Sequence, residues 1–324
     1  MTKILTIATI ISVSYVYLLS SFSVEFSSMF GFADETMLLK KQVLYLLAGL
    51  VTFIGVTPLK TSKCFNCIGA FVFVSSVILL LLMLVVPHSF APLIDAKKLF
   101  ISFGSITLQP IYFFMLGAIW FISYIYEKQT IKNTNLSIII LMFFTAFISY
   151  FSHDYSAFLL IELLLLSLIF YINGLSKFLL GTILAFITSV TLFILSAPHR
   201  LSRLQSWLDA SHLEISKNLL DESSLFFLYN SLGEPMLLTI IALFMALIYF
   251  IIRKGSSNEG TKLFSVGVVL FISIDLFLNI LATSGYLPIH APSLFFYSYG
   301  FSISIVSFLM IALLSINDNI KILR

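Results

Sequence analysis

AFLLIELLLLSLIFYINGLSKFLLGTILAFITSVTLFILSA, residues 157–197, holds two apolar runs joined by a few residues around Asn173 and Gly174. A run of roughly 17 to 25 apolar residues is long enough, as a helix, to cross a ~30 Å hydrocarbon core. Two such runs with so short a join predict a tight helical hairpin that crosses a membrane and returns. Working outward in both directions, runs of the same kind recur near 4–22, 42–58, 65–87, 109–126, 135–151, 236–252, 263–286 and 293–316. With the hairpin they make ten spans, so the fold class expected is an all-α integral membrane protein. Its 324 residues form a single polytopic domain with both termini on one side, and 198–235 forms a large loop between spans seven and eight.

Composition agrees. The chain is 60% hydrophobic and 10% charged, with a mean hydropathy of +1.07, whereas soluble domains average about 25% charged residues. Length therefore counts spans and not globular domains. A net charge of +3 without a basic cluster gives no footing for nucleic acid. Cys64 and Cys67 form a C-x-x-C at the start of a span. A redox or metal role would need further ligands nearby, and the bland reading is two thiols at a helix start. The opening MTKILTIATIISVSYVYLLSSF is long enough to span and many spans follow, so it reads as a retained first helix and not a cleaved signal.

Basic residues in short loops orient the chain. With the termini inside, eleven Lys and Arg lie at the inner face and seven outside: Lys40, Lys41, Lys97, Lys98, Arg200, Arg203 and Lys217. The acids separate more sharply, ten outside against three inside, so the polar chemistry is expected at the outer face. Two readings of the outer cations stand side by side. They snorkel to lipid headgroups, or they neutralise an anionic membrane-embedded substrate such as a lipid-linked pyrophosphate. Glu162 and Asp275 fall within apolar runs, where an ionisable group must face the protein interior or a wet cavity. They belong either to a transport pathway or to hydrogen-bonded packing.

Five stretches, in order, resemble the SEDS family of bacterial cell-wall polymerases, the FtsW, RodA and SpoVE group. The clearest is LNILATSGYLPIHAPSLFFYSYGFSISIVSFLMIALLSI, residues 278–316. There Asn279, Gly285, Leu287, Pro288, Phe296, Ser298, Tyr299 and Gly300 match the family pattern, and Phe301 replaces the second glycine of a pair. LLKKQVLYLLAGL is similar to the family's start of the second span, with Lys41, Gln42, Gly49 and Leu50 in place. DAKKLFISFGSITLQP keeps Ala96, Lys97, Lys98, Gly104, Gln109 and Pro110, but Leu99 stands where the family has tryptophan. After Gln-Pro the family's Ser-Glu has become Ile111 and Tyr112. SHDYSAF resembles a Pro-Asp-x-Gly-Thr-Ala motif in which Asp154 survives, and RLSRLQSWLDAS keeps Arg203, Leu208 and Asp209.

The resemblance implies a glycosyltransferase that polymerises lipid II at the outer face of the bacterial cytoplasmic membrane, with both termini cytoplasmic. The setting it implies is cell division or cell-shape maintenance, with a class B penicillin-binding protein transpeptidase as partner and membrane lipid around the bundle. A sugar hydroxyl attacks an anomeric carbon and a polyprenyl pyrophosphate leaves; a carboxylate base serves the first event, cations or a divalent metal (Mg or Mn) the second. The substrate-binding candidates carried over are Lys41, Gln42, Lys97, Lys98, Gln109, Asp154 and Arg203. The catalytic segment is where the chain departs. Setting Gly233-Glu234 of LLDESSLFFLYNSLGEP on the family's Gly-Glu puts Phe226 at the catalytic aspartate. Asp221 and Glu222, five and four residues upstream, are the candidate bases. The alternatives to polymerisation are a non-catalytic lipid II-binding division scaffold and a lipid-linked precursor flippase.

Overall fold

In hydrocarbon no water is at hand to satisfy a backbone N–H or C=O, so an apolar run must become a helix. A computed structural model describes residues 1–22, 35–59, 61–86, 93–94, 97–98, 100–103, 106–152, 155–195, 225, 228–229, 232–254, 259–284, 286 and 292–319. Ten long helices stand among them where ten spans are expected: α1 (Thr2–Ser21), α2 (Glu35–Val56), α3 (Ser62–Val85), α4 (Pro110–Lys128), α5 (Ile131–Ser152), α6 (Tyr155–Asn173), α7 (Lys177–Leu195), α8 (Glu234–Lys254), α9 (Glu259–Thr283) and α10 (Phe301–Asn319). Eight are long and apolar enough to cross a membrane, while α7 and α10 carry shorter apolar stretches, Lys177–Thr191 and Phe301–Ile316. Large apolar side chains such as Phe143, Leu184 and Val85 lie exposed on the helix surfaces, as lipid-facing residues should. The protein is an integral membrane helix bundle.

Two β-hairpins between α3 and α4 qualify the all-α expectation. β1 (Leu93–Ile94) pairs with β2 (Lys97–Lys98), and β3 (Ile101–Phe103) with β4 (Ile106–Leu108), both antiparallel.

Local chemistry sets the helix ends. The Thr61 hydroxyl caps α3 by accepting the Cys64 N–H at 3.2 Å, so the C-x-x-C sits in a capped first turn. Pro110 opens α4, where its missing N–H costs nothing. Gly174, at φ 61°, closes α6 and donates to the Phe170 carbonyl at 2.8 Å. At the same end of the bundle Asn135 and Asn173 exchange two amide hydrogen bonds, at 3.0 and 2.9 Å, tying the start of α5 to the end of α6.

α4 is buried almost all round, from Pro110 to Ser123, with α3, α5, α9 and α10 against it. Small residues let the backbones close up. A Cβ on Gly69 would fall 2.3 Å from the Trp120 ring, and one on Gly117 2.7 Å from the Phe73 Cα. α2 meets α10 along Leu38, Gln42, Tyr45, Gly49 and Phe53. At Gly49 a Cβ would lie 2.9 Å from the Ser304 carbonyl oxygen.

The expected last span, 293–316, is corrected. Its helix starts at Phe301, because Phe296 (φ 62°) and Gly300 (φ 148°) turn the chain out of helical geometry.

Candidate functional site

Leu294–Gly300, which joins α9 to α10, is non-helical yet almost entirely buried: Leu294, Phe295 and Tyr297 are at most 1% exposed, Phe296 5% and Ser298 7%. Such backbone is tolerated at membrane depth only if the protein itself satisfies it. Side chains from three helices do so. The Phe295 N–H donates to Asp275 Oδ2 on α9 at 2.9 Å, and the Phe296 N–H to Ser307 Oγ on α10 at 3.3 Å. The Gly300 N–H donates to Gln42 Oε1 on α2 at 3.2 Å, while Gln42 Nε2 donates to the Ser298 carbonyl at 3.3 Å. The Tyr297 N–H turns back to the Leu294 carbonyl at 3.0 Å. A small enclosed space of about 10 Å³, roughly one water, lies beside this segment, lined in part by Ser12, Gln42, Ser298, Ser304 and Ser307. The aromatic residues add contacts: Tyr297 tilts against Tyr15 at 5.0 Å, and Tyr45 meets both Tyr299 and Phe301.

The same end of the bundle carries the β-hairpins. Gln109 follows β4 and precedes α4, and its N–H donates to Ser302 Oγ at 2.7 Å, fixing the hairpin and α4 to the first turn of α10. Backbone pairing sets Lys97 against Ile94 and Lys98 against Leu93 in the first hairpin.

The candidates named from the sequence thus fare differently. Gln42 is 4% exposed with both amide atoms engaged by backbone, and Gln109 is half-buried and held through its N–H. Lys41 is half-buried on α2, and Lys97 and Lys98 are placed by their backbone in β2. Asp154, Arg203, Asp221, Glu222 and the Phe226 position lie outside the described residues, as does most of 198–235. On the flank of that loop Leu225 and Leu228 are fully buried, three residues apart, so this apolar pair packs into the bundle. Among the described residues no group of three or more His, Cys, Asp or Glu side chains forms a metal-ligand set. Asp154, Asp221 and Glu222, the acids that would stand nearest a pyrophosphate-bound ion, are not among those residues.

Asp275 answers to the hydrogen-bonded packing reading, while Ser307 is the residue whose role sequence reasoning missed. The legible signal was polarity inside apolar runs: Asp275 with Asn279 one turn later, and a series of serines in the last span. Asn279 Nδ2 donates to the Asp275 carbonyl at 3.0 Å and to Oδ1 at 3.3 Å, which leaves Oδ2 for Phe295. Glu162, the other acid in a span, is 3% exposed and 2.5 Å from the Thr145 hydroxyl on α5.

Comparison with known proteins places this geometry. The sequence profile of the FtsW/RodA/SpoVE family, described as a cell cycle protein, matches residues 1–218 and 229–321. The stretch between them, 219–228, holds Asp221, Glu222 and Phe226. A probable peptidoglycan glycosyltransferase FtsW of Helicobacter pylori is 25% identical, covering 80% of this chain and 83% of its own. Another from Nitrosomonas europaea is 24% identical, covering 88% and 84%. A chain of a peptidoglycan synthase complex, solved for the coordination of polymerization and crosslinking, superposes with a TM-score of 0.76 at 18% identity, over 96% of this chain and 97% of that one. The crystal structure of the rod shape determining protein RodA of Thermus thermophilus superposes with a TM-score of 0.69 at 17% identity, over 95% and 94%.

Proposed function

The chain belongs to the FtsW/RodA/SpoVE family, and from that premise we propose that it polymerises lipid II by glycosyl transfer at the outer face of the bacterial cytoplasmic membrane. The observation that carries the reading is the extent of the family match, which runs through all ten helices and both hairpins. The relatives that are named probable peptidoglycan glycosyltransferases, each covered over more than four fifths of its own length, support the same activity. The inner position of both termini rests on the eleven-to-seven split of basic residues.

In this reading Lys97, Lys98 and Arg203 neutralise the pyrophosphate as it leaves, since cations act most strongly where negative charge develops. Asp221 or Glu222 accepts the proton of the attacking sugar hydroxyl. The partner is a class B penicillin-binding protein transpeptidase, in keeping with the synthase complex among the structural neighbours.

One observation favours a second reading, a family member that binds lipid II as a division scaffold without turning it over. Phe226 stands at the aspartate position, and the family match is interrupted over 219–228. Transport has less support, because Glu162 faces Thr145 and Asp275 is engaged by the Phe295 backbone and Asn279.

Purified protein, alone and with its transpeptidase, given labelled lipid II is expected to yield glycan polymer. Lipid II retained by the protein but left monomeric under every partner condition would favour the scaffold. Lipid II scrambling across liposomes without polymer would favour a flippase.

A further inference from the structure

Gln42 and Asp275 share a feature that neither substrate binding nor proton transport requires: Gln42 spends both its amide atoms, and Asp275 one carboxylate oxygen, on the backbone of one seven-residue segment. We propose that they are positioning residues, which brace Leu294–Gly300 in a fixed shape at the site end of the bundle and through it set the geometry for glycosyl transfer. The catalytic half of this inference rests on the function proposed above; the brace itself does not.

Burial comes first. Gln42 is 4% exposed and Asp275 0%, so neither side chain is presented to a bound lipid or to solvent. Shape comes second. The Gln42 amide spans the end of the segment with its oxygen on the Gly300 N–H and its nitrogen on the Ser298 carbonyl, a two-point clamp that uses the donor and the acceptor of one carboxamide. Asp275 grips the other end. Its Oδ1 is held by Asn279, one helical turn on, and its Oδ2 accepts the Phe295 N–H. The two grips come from helices far apart in sequence; Gln42 and Ser298 are separated by 256 residues. Between the grips the chain passes through Phe296 at φ 62°, a value a phenylalanine adopts only where surroundings enforce it.

Connection comes third. Two residues past the clamp, Ser302 Oγ accepts the Gln109 N–H. Gln109 is the residue between β4 and α4, in the same inter-helix stretch as the Lys97-Lys98 strand. A shift of Leu294–Gly300 would therefore be felt by the connection that carries the proposed pyrophosphate cations. Asp275 acts in this arrangement as an acceptor through both oxygens; in Asp275→Asn the carboxamide oxygen can keep the Phe295 N–H, with the new amide nitrogen toward Asn279, whose own amide turns to present its oxygen.

Three variants test the proposal: Gln42→Met, Asp275→Leu and Asp275→Asn. Lipid II polymerisation is measured as kcat and KM, and hydrogen–deuterium exchange is read at the Phe295 and Gly300 amides. Losing a grip is expected to lower kcat about tenfold or more in Gln42→Met and Asp275→Leu with KM within about twofold, the pattern of misplacement and not of lost substrate contact. Phe295 in Asp275→Leu and Gly300 in Gln42→Met should exchange about tenfold faster, roughly one hydrogen bond's worth, with the interior amides of α2 and α9 unchanged. Asp275→Asn should stay within about threefold of the parent in both readouts. An Asp275→Asn protein that keeps slow Phe295 exchange yet is as impaired in kcat as Asp275→Leu would overturn the proposal, because the Phe295 grip would then not be what activity needs. A raised KM at unchanged kcat in Gln42→Met, or unaltered Gly300 exchange, would overturn it as well. If Asp275→Leu fails to fold, Gln42→Met and Asp275→Asn still decide. If the parent makes no polymer, the functional reading and the catalytic half fall together, and the exchange arm alone decides the brace.

Discussion

Tyr297 buries its hydroxyl without a hydrogen-bond partner among the described residues, in the middle of a segment whose backbone is otherwise well braced. A buried, unpaired hydroxyl destabilises by its lost hydration, about 1–3 kcal/mol. Tyr297→Phe removes that group and keeps the ring against Tyr15. The substitution should leave thermal stability in detergent unchanged or raise it by about 1 kcal/mol; a marked fall in the melting temperature would show that the hydroxyl has a partner. The same segment marks how far single residues were legible. Gln42, Ser298 and Gly300 stood out as motif positions, but their mutual contact depends on how α2 meets α10, which periodicity along one chain does not encode. Asp275 is legible as an expensive acid in an apolar run with hydrogen-bonded packing as one reading, and its partner is not, because the accepting geometry is set by Asn279 and a backbone twenty residues on.

Helices were the readable elements, since an apolar run in hydrocarbon has one way to satisfy its backbone. The hairpin of α6 and α7 falls where Asn173 and Gly174 place it. The start of α10 lies eight residues later than expected (301 against 293), for a reason the hydropathy pattern conceals: the aromatic stretch Leu294–Gly300 continues the apolar run but is not helical. β1 to β4 escaped notice because strands of two or three residues leave no alternation to detect. A prediction belongs at this scale too. The reciprocal Asn135–Asn173 pair is an interhelical tie between α5 and α6. A double-mutant cycle with Asn135→Leu and Asn173→Leu, read by unfolding in detergent, should give a coupling of about 0.6 kcal/mol, at most ~1.7. Additive single changes would mean the two amides do not support each other.

Across the whole molecule, helix alternation gathers Lys41, Gln42, β2, Gln109 and Leu294–Gly300 at one end of the bundle. Met1, Lys254 and Leu314 meet at the other, through the Lys254 ammonium. Single cysteines in a chain without Cys64 and Cys67 test which end faces out. Tyr286→Cys, 69% exposed at the site end, should react with a membrane-impermeant maleimide in intact cells. Leu175→Cys, 89% exposed in the α6–α7 turn, should react only after permeabilisation. The reverse pattern would invert the topology and with it the site. The central claim, glycosyl transfer assisted by a carboxylate of 219–228, meets its most direct test in the initial rate of lipid II polymerisation by the parent and by the Asp221→Ala/Glu222→Ala double variant. The parent should produce a glycan ladder, and the double variant should be slower by about a hundredfold or more, the usual contribution of a general base. A parent that makes no ladder with any partner, or a double variant that matches it, would contradict the claim.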